Sequence, residues 1–389
     1  MAHQPDHLAA GGNAAHGAAS FRRGFSERSP LVLLAAILCV ALALAGFEAL
    51  VRNGVFTVVS EGRFLRIAHD DYAHVTYRVA ELRQDPPEGP VVYLFGGSGT
   101  MECFVSEGSL AGDVSREAGD AVGVVSLAAH GQSFAQTIAI VDNLPQGEAL
   151  LVVGLASMRF TVSPEQDAGL LLGRTLPLVS PRLEAALAVQ GVSAPPITSV
   201  LPGAFDYLSA YLRARPEDGV SLFEEVGYEP HYWDGEPAQS EAAKTSEAAD
   251  RIALDRPLYE SNGAYNLAML EQLLVLARDR GFSVALFDQP LDLEVADPTW
   301  AGILPDYRHR VRALAERYGV SYLDVHQRVG LTSDDFGDIY HLIARGRLKW
   351  QPVLARQIAG ALADEDLAGE PPALAEGSGV GPAAVVAGR

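Results

Sequence analysis

Cysteine is nearly absent from this chain of 389 residues, which contains only Cys39 and Cys103. Cys39 lies within a long apolar run, so Cys103 is alone in the polar remainder of the sequence. That remainder can form no internal disulfide, and zinc ligation by several cysteines is excluded. Its stability must come from a buried core, which a hydrophobic content of 48% allows.

Basic residues are also scarce, with 29 Lys+Arg against 49 Asp+Glu and a net charge of −20. So acidic a chain is poorly suited to hold nucleic acid or an anionic lipid surface through its folded part. The first 51 residues contain three arginines and three acidic residues, so the net charge belongs to residues 52–389. We therefore expect no nucleic-acid partner.

The apolar run extends from Leu31 to Phe47 without a charge, and after Glu48 three more apolar residues follow. This is about the minimum length for crossing a bilayer. Three arginines precede the run within ten residues and only Arg52 follows closely, so the positive-inside rule places the N-terminus in the cytoplasm. We predict a disordered cytoplasmic tail (1–29), a transmembrane signal-anchor (30–51) and an extracytoplasmic main domain, in the periplasm or at the cell surface.

Other interpretations of this run remain open. Ala43-Leu44-Ala45 before Gly46 resembles a signal-peptidase site, so that the segment would be cleaved. Arg22-Arg23 loosely resembles a twin-arginine signal. The run would also suit a buried core helix. Only this last interpretation keeps the main domain inside the cell.

The main domain shows short apolar runs that alternate with stretches of helical length. Such runs are typical of strands buried on both faces, and the alternation favours a parallel sheet covered by helices. We predict strands at Val91–Phe95, Val122–Leu127, Ala149–Gly154, Ser283–Phe287 and Val320–Val325.

One interval of about 125 residues, between the third and fourth runs, is too long for a simple crossover. We predict a mainly helical insertion at about 160–260, within which polar, alanine-rich Glu236–Ala249 would be a mobile loop or weak helix. The division is then a stem (52–90), an α/β domain (91–364) and a disordered tail (365–389) rich in Gly, Ala and Pro.

The turn after the first run reads Gly96-Gly97-Ser98-Gly99. At the carboxyl end of a parallel strand such a serine is exposed, and its N–H is well placed to stabilise an oxyanion. A P-loop would need a lysine, and a dinucleotide fingerprint would need a third glycine at Glu102. The glycines could also simply make the turn.

Near the end of the domain, Asp338 stands three residues before His341. A carboxylate at this spacing can bind one ring nitrogen, which leaves the other nitrogen to take a proton from a serine. The simpler alternative is an N-cap aspartate with an incidental histidine. The glycine-flanked serine and this Asp-x-x-His pair together are more specific than either alone.

With these motifs the sequence resembles the SGNH (GDSL-like) hydrolases, in particular the membrane-anchored, exported branch that includes cell-envelope polysaccharide acyltransferases and esterases. The resemblance runs from about Val91 to Ala363. It implies a three-layer α/β/α fold with five parallel strands in flavodoxin-like order, Ser98 as nucleophile, His341 as general base and Asp338 orienting it. It also implies oxyanion donors at the N–H groups of Ser98 and Gly131, and no cofactor or metal.

The sequence departs from the family pattern after the third strand, where Ala156 stands in place of an asparagine that would be a third oxyanion donor. Gly97 also replaces the usual aspartate before the serine. Loss of one donor costs about 100- to 1000-fold in rate. Ser157 or Arg159 could substitute, and Gln132 and Ser133 could contribute from the loop after the second strand, although Ser133 would equally suit a helix cap.

We expect a serine esterase or O-acyltransferase acting on a cell-envelope polysaccharide or lipid-linked glycan, with a membrane-bound acyl donor protein as a further possible partner. The alternative is a catalytically impaired envelope protein that binds glycan or a partner protein. Further candidates for the site are Glu102 as an orienting group, His130 and His231 as substrate contacts, and Asp288 as a site-lining residue. Cys103 is expected to be a packed thiol.

Overall fold

The computed structural model describes residues 29–173, 178–193, 198–234, 236–300 and 302–367. Five parallel strands form one sheet in the order β2-β1-β3-β4-β5, which confirms the predicted flavodoxin-like arrangement. The strands are β1 (Val91–Phe95), β2 (Gly123–Ser126), β3 (Ala149–Leu155), β4 (Ser283–Asp288) and β5 (Ser321–Leu323). The predicted tail at 1–28 and the end of the chain from 368 lie outside the described residues.

The helices flank the sheet on both sides, as predicted. In chain order they are α1 (Pro30–Arg52), α2 (Glu61–Phe64), α3 (Asp71–Gln84), α4 (Ser98–Met101), α5 (Glu107–Ala118), α6 (Phe134–Asn143), α7 (Pro164–Gly173), α8 (Pro181–Val189), α9 (Leu201–Glu217), α10 (Glu241–Asp279), α11 (Leu293–Trp300), α12 (Ile303–Tyr318) and α13 (Ala344–Leu367).

The core has two parts because side chains alternate across each strand. In β1, Tyr93 and Phe95 face a cluster formed with α3, α6, α10 and α12. Val92 and Leu94 face a second cluster, formed with α5 and α13. All five residues of β1 are buried, which explains why its sequence is a continuous apolar run rather than an alternating one.

Helix α1 is the one helix of the described residues that is long and apolar enough to cross a membrane, with a mean hydropathy of 2.7 over its best window. None of its residues is buried. The alternative of a buried core helix is therefore wrong, whereas a membrane span and a signal sequence both fit this length and composition.

Part of the segment predicted as a stem packs into the α/β core. Helix α3 places Val75, Val79 and Leu82 in the cluster on one face of the sheet. Its N-terminus lies at the edge where the strands end, because Asp71 accepts a hydrogen bond from the backbone of His130, just beyond β2. This segment therefore contributes to the neighbourhood of the site as well as to the core.

The insertion is mainly helical, comprising α7, α8, α9 and the first half of α10. In the polar stretch predicted as a mobile loop or weak helix, residues 241–249 are helical, and Ser240 caps this helix of 39 residues. Lys244 is buried and donates to the carbonyl of Phe336, and Ala248 is fully buried. Tertiary contacts thus stabilise a segment whose composition alone indicates little helical stability.

Candidate active site

Ser98 lies at the first position of α4, directly beyond the carboxyl end of β1. The turn before it requires glycine: Gly96 has φ +150°, and a Cβ there would lie 2.1 Å from Oγ1 of Thr100. A Cβ added to Gly154 of β3 would lie 1.9 Å from the same hydroxyl. The two glycines let the start of α4 sit tightly on the sheet, with Ser98 partly exposed above it.

The structure brings Ser98, His341 and Asp338 together. His341 Nε2 lies 2.8 Å from Ser98 Oγ, and His341 Nδ1 lies 2.6 Å from Asp338 Oδ2. The other oxygen of Asp338 accepts the backbone N–H groups of Tyr340 and His341, at 2.7 and 2.8 Å. These two bonds fix the carboxylate, so that the imidazole is held with one nitrogen directed at the serine.

The acidic groups around His341 favour its protonated form, as is required of a general base. Burial by itself lowers the pKa of His341, but the hydrogen bond and charge of Asp338, together with Glu102, outweigh it and raise this pKa above 6.5. Burial raises the pKa of Asp338, yet the bonds from His341 and the two N–H groups bring it below its usual value. Asp338 is therefore ionised at neutral pH and stabilises the protonated imidazole.

Glu102 is a second acidic group beside the histidine. Its side chain is fully buried, and Oε1 lies 3.9 Å from His341 Nε2. Neither carboxylate oxygen has a well-formed hydrogen bond among the described residues. Burial raises the pKa of Glu102 to about 7, against the charge of His341, which lowers it. A carboxyl group in this position adds to the field that favours the imidazolium.

The predicted oxyanion donors are present as free backbone groups. Neither Ser98 nor Gly131 donates its N–H to a described residue. Gly131 has φ +64° and sits in an exposed turn that is held at His130, whose N–H binds Asp71 and whose carbonyl accepts the hydroxyl of Tyr72 at 2.8 Å. Asp71 and Tyr72 were missed in the sequence because they belong to the predicted stem.

Gln132 and Arg159 serve the framework rather than offering free donors. Gln132 accepts the N–H of Gly96 at 3.0 Å and donates to the carbonyl of Leu127 at 2.8 Å. Arg159 is buried, and its guanidinium donates to four partners: the carbonyls of Gln132, Ser133 and Gly154, and the hydroxyl of Thr137. Burial lowers its pKa to about 9, so it remains charged at neutral pH. Both residues join the loop that contains Gly131 to the ends of the strands.

Ser133 caps α6 in a capping box with Gln136, in agreement with its alternative interpretation as a helix cap.

Ala156 follows β3 in extended conformation, and Ser157 next to it is buried. Both line a narrow crevice at the ends of β3 and β4, together with Gln289 and Tyr340. No hydrogen bond holds the Ser157 hydroxyl among the described residues. The side-chain amide of Gln289 lies close to the turn that contains Ser98, since a Cβ on Gly99 would be 2.7 Å from its oxygen. For Gln289, the only signal in the sequence was its position directly after a predicted strand.

The remaining sequence candidates have structural partners. Cys103 is buried, and burial raises the pKa of its thiol to about 12, so it is a packed thiol as expected. His231 Nε2 lies 2.9 Å from the carbonyl of Phe104. Asp288 accepts hydrogen bonds from Tyr307 and Arg308 of α12, both at 2.8 Å, which fixes this carboxylate to the neighbouring helix.

A pocket of about 330 Å³ lies between α10 and α12, and none of the candidate site residues line it. Among the described residues no three His, Cys, Asp or Glu side chains are grouped closely enough to hold a metal ion. No protein-family model matches the chain, and no curated protein resembles it significantly. The geometry of the site is therefore the basis for any statement about its chemistry.

Proposed function

We propose that the protein is a membrane-anchored serine esterase or O-acyltransferase that uses Ser98, His341 and Asp338. The observation that carries this proposal is the unbroken pair of short contacts from Ser98 Oγ through the imidazole to Asp338. Three residues from opposite ends of the chain meet at hydrogen-bond distance in the order that nucleophilic acyl transfer requires.

In the first step, Ser98 Oγ attacks the ester carbonyl as its proton passes to His341 Nε2. The negative charge that develops on the carbonyl oxygen is stabilised by the N–H groups of Ser98 and Gly131. The C–O bond of the ester breaks, the leaving alcohol takes the proton from His341, and an acyl-serine remains. In the second step, a hydroxyl group attacks the acyl carbonyl and gives its proton to His341. The bond between this carbonyl and Ser98 Oγ then breaks, and His341 returns the proton to Oγ. A water molecule gives hydrolysis, and a sugar hydroxyl gives transfer.

Tethering by α1 favours a substrate at the membrane, namely a cell-envelope polysaccharide or a lipid-linked glycan. A membrane-bound acyl donor protein would suit the transfer reaction. The positive-inside rule, applied to the three arginines before α1, puts the domain outside the cytoplasm. A reporter fused after Arg389 should then be active only if it functions outside the cytoplasm; activity of a strictly cytoplasmic reporter would refute this orientation.

Labelling with a fluorophosphonate probe tests the chemistry, because the probe phosphonylates activated serines. The full chain, purified in detergent, should be labelled at Ser98, as identified by peptide mass. Ser98→Ala should abolish labelling and His341→Ala should reduce it strongly. Ser261→Ala, which changes an exposed serine of α10, is the matched control and should be labelled like the wild type.

A folded wild-type protein that neither reacts with the probe nor cleaves short aryl esters would contradict the proposal. In that case the second candidate, a non-catalytic protein that binds glycan or a partner, would be favoured. The specific observation behind this candidate is Ala156, which leaves the oxyanion region without the third donor that the resemblance implies, an asparagine side chain.

A further inference from the structure

The end of α1 is joined to the beginning of α9 by specific contacts. The ring centroids of Phe47 and Phe205 are 5.8 Å apart. The carboxylate of Glu48 accepts the hydroxyl of Ser199 at 2.6 Å and the N–H of Val200 at 3.0 Å. Arg52 donates to the carbonyl of Thr198 at 3.0 Å. The one acidic residue that interrupts the apolar run is thus bonded to the segment that starts α9.

Helix α9 has two different faces. Tyr207 and Tyr211 point towards the domain, where their hydroxyl groups donate to backbone carbonyls of α2. Phe205, Leu208 and Leu212 lie on the other face, at the spacing i, i+3, i+7, and are 48%, 47% and 51% exposed. An apolar stripe of this kind on a helix that already has a packed face requires a second apolar environment.

Exposed apolar residues are concentrated around this stripe. Outside α1, the described residues include fourteen exposed large hydrophobic side chains, and eight of them fall within 55–59 and 205–223. Val58 and Phe223 are the most exposed of all, at 86% and 85%. Both segments adjoin the end of α1: one follows it in sequence and the other contacts it through Phe205.

The position of this region along α1 indicates its depth. From Leu31 to Val51, α1 would span about 31 Å at 1.5 Å per residue, which matches a hydrocarbon core of about 30 Å. Phe47 then lies near the outer boundary of the core, and Phe205, in contact with it, lies at a similar level. The apolar stripe continues from this point along α9.

We propose that Phe205, Leu208 and Leu212, with Val58 and Phe223, form an interfacial face that is inserted into the outer boundary of the bilayer that α1 spans. The occupant of this face is lipid, because the face is continuous with the lipid-facing surface of α1. The charged residues next to it are of mixed sign, namely Asp206, Arg213 and Glu217, so zwitterionic phosphatidylcholine suffices. The proposal rests on the membrane anchoring by α1 proposed above, but it does not depend on the enzymatic activity.

The interfacial face also fixes how the domain lies on the membrane. Through Tyr207 and Tyr211 it is bonded to α2, and α2 leads within a few residues to Asp71 at the Gly131 turn. A domain held by both α1 and α9 cannot rotate freely about the anchor. The opening of the site then keeps one orientation relative to the membrane plane.

Fluorescence quenching by lipid tests the proposal in the full chain, reconstituted in phosphatidylcholine nanodiscs. A nitrobenzoxadiazole label is placed on a cysteine at Leu208→Cys in a Cys39→Ser background; Cys103 is buried and stays unlabelled. Lipids with a nitroxide at a shallow chain position should quench this label at least about twofold and shift its emission to the blue. Leu254→Cys, which replaces a leucine of α10 that is 63% exposed, is the matched control and should show neither effect.

A label on the native Cys39 reports separately whether α1 is in the bilayer. Quenching at Cys39 together with equal, weak signals at positions 208 and 254 would overturn the interfacial face while leaving the anchor intact. Disulfide-linked dimers of the unlabelled Leu208→Cys variant, with no quenching of the labelled one, would also overturn it and would assign the face to contact between two copies of the chain.

Discussion

The two halves of the candidate site differ in how completely they are built. On the acid–base side, each polar atom of Asp338 and both nitrogens of His341 have partners within 2.6–2.8 Å. On the oxyanion side, the proposed donors are two backbone N–H groups, the side chain of Ala156 has no polar atom, and Arg159 and Gln132 are engaged in holding loops. In the proposed mechanism, side chains preorganise the proton transfer, whereas only the backbone stabilises the oxyanion.

In the proposed mechanism, this difference separates a half that depends on individual side chains from a half that does not. Loss of a side chain from the acid–base half would remove the proton transfer. A donor could be added to the oxyanion half at Ala156, because this residue is only partly buried. Four substitutions test the two halves against each other; the first has the largest expected effect.

Asp338→Asn should lower kcat for an aryl ester by about 10⁴-fold at pH 7, the loss known for this change in a Ser-His-Asp triad. The amide can no longer stabilise the imidazolium, and it favours the wrong tautomer of His341. Steady-state kinetics give the value. Asp335→Asn, which changes a buried aspartate that pairs with Lys349, is the control for loss of fold rather than of chemistry. Activity of Asp338→Asn within tenfold of the wild type would show that the acid–base half is not in use.

Arg159→Lys should lower kcat by about 10- to 100-fold, comparable to the loss of one oxyanion donor or somewhat less. Lysine cannot bind all four partners of the guanidinium, so the loop that presents Gly131 loses its support. Melting temperature and kcat should fall together, with KM less affected. Arg116→Lys, at an exposed position, should change neither. If the variant keeps full kcat despite a lower melting temperature, the support of this loop does not contribute to stabilisation of the oxyanion.

Ala156→Asn should raise kcat by about tenfold, because it adds the side-chain donor that the oxyanion region lacks. The extended backbone at this position accepts asparagine without strain. Ala156→Leu, similar in size but without a donor, is the matched control and should bring no gain. Equal rates for wild type and Ala156→Asn would mean that the backbone donors, or Ser157, already suffice.

Glu102→Gln should have the smallest effect on the maximal rate and should shift the pH profile instead. The charge of Glu102 raises the pKa of His341, so its removal moves the acidic limb of kcat/KM to lower pH. An unchanged acidic limb would mean that Glu102 does not act on His341.

Glu102→Gln should also change how the free energy of unfolding depends on pH. The pKa of Glu102 is about 7 in the folded protein, against 4.5 for an exposed glutamate, so the folded state binds this proton more tightly. Its contribution to the free energy of unfolding therefore falls as pH rises from 4.5 through 7. Glu102→Gln should gain stability relative to the wild type at pH 8 and little at pH 4.5, as measured by thermal melts.

Much of the fold could be predicted from the sequence, because strands buried on both faces appear as continuous apolar runs. All five strands lie where runs such as Val91–Phe95 indicated, within one or two residues. The start of α10 was not predictable, since its helical state depends on burial of Lys244 and Ala248 against distant segments. The packing of α3 was not predictable for a similar reason. Its apolar residues become buried only against the assembled sheet.

The candidate site was predictable to a similar degree. Ser98 stood out through its glycines, and His341 and Asp338 through their spacing. The orientations of Gln132 and Arg159 were not predictable, because polar side chains can serve either as ligand contacts or as loop supports. Only the positions of their partners decide between the two.

By itself, the sequence determined the parallel sheet, the apolar segment at 30–51 and the identity of the three residues that meet at the site. Local patterns determine these features, because burial demands apolar runs and tight turns demand glycine. The tertiary structure alone decided that Ser98 and His341 lie 2.8 Å apart, that Glu102 is buried beside them, and that α9 joins the end of α1. These contacts join residues far apart in sequence or depend on burial, and only packing brings such groups together.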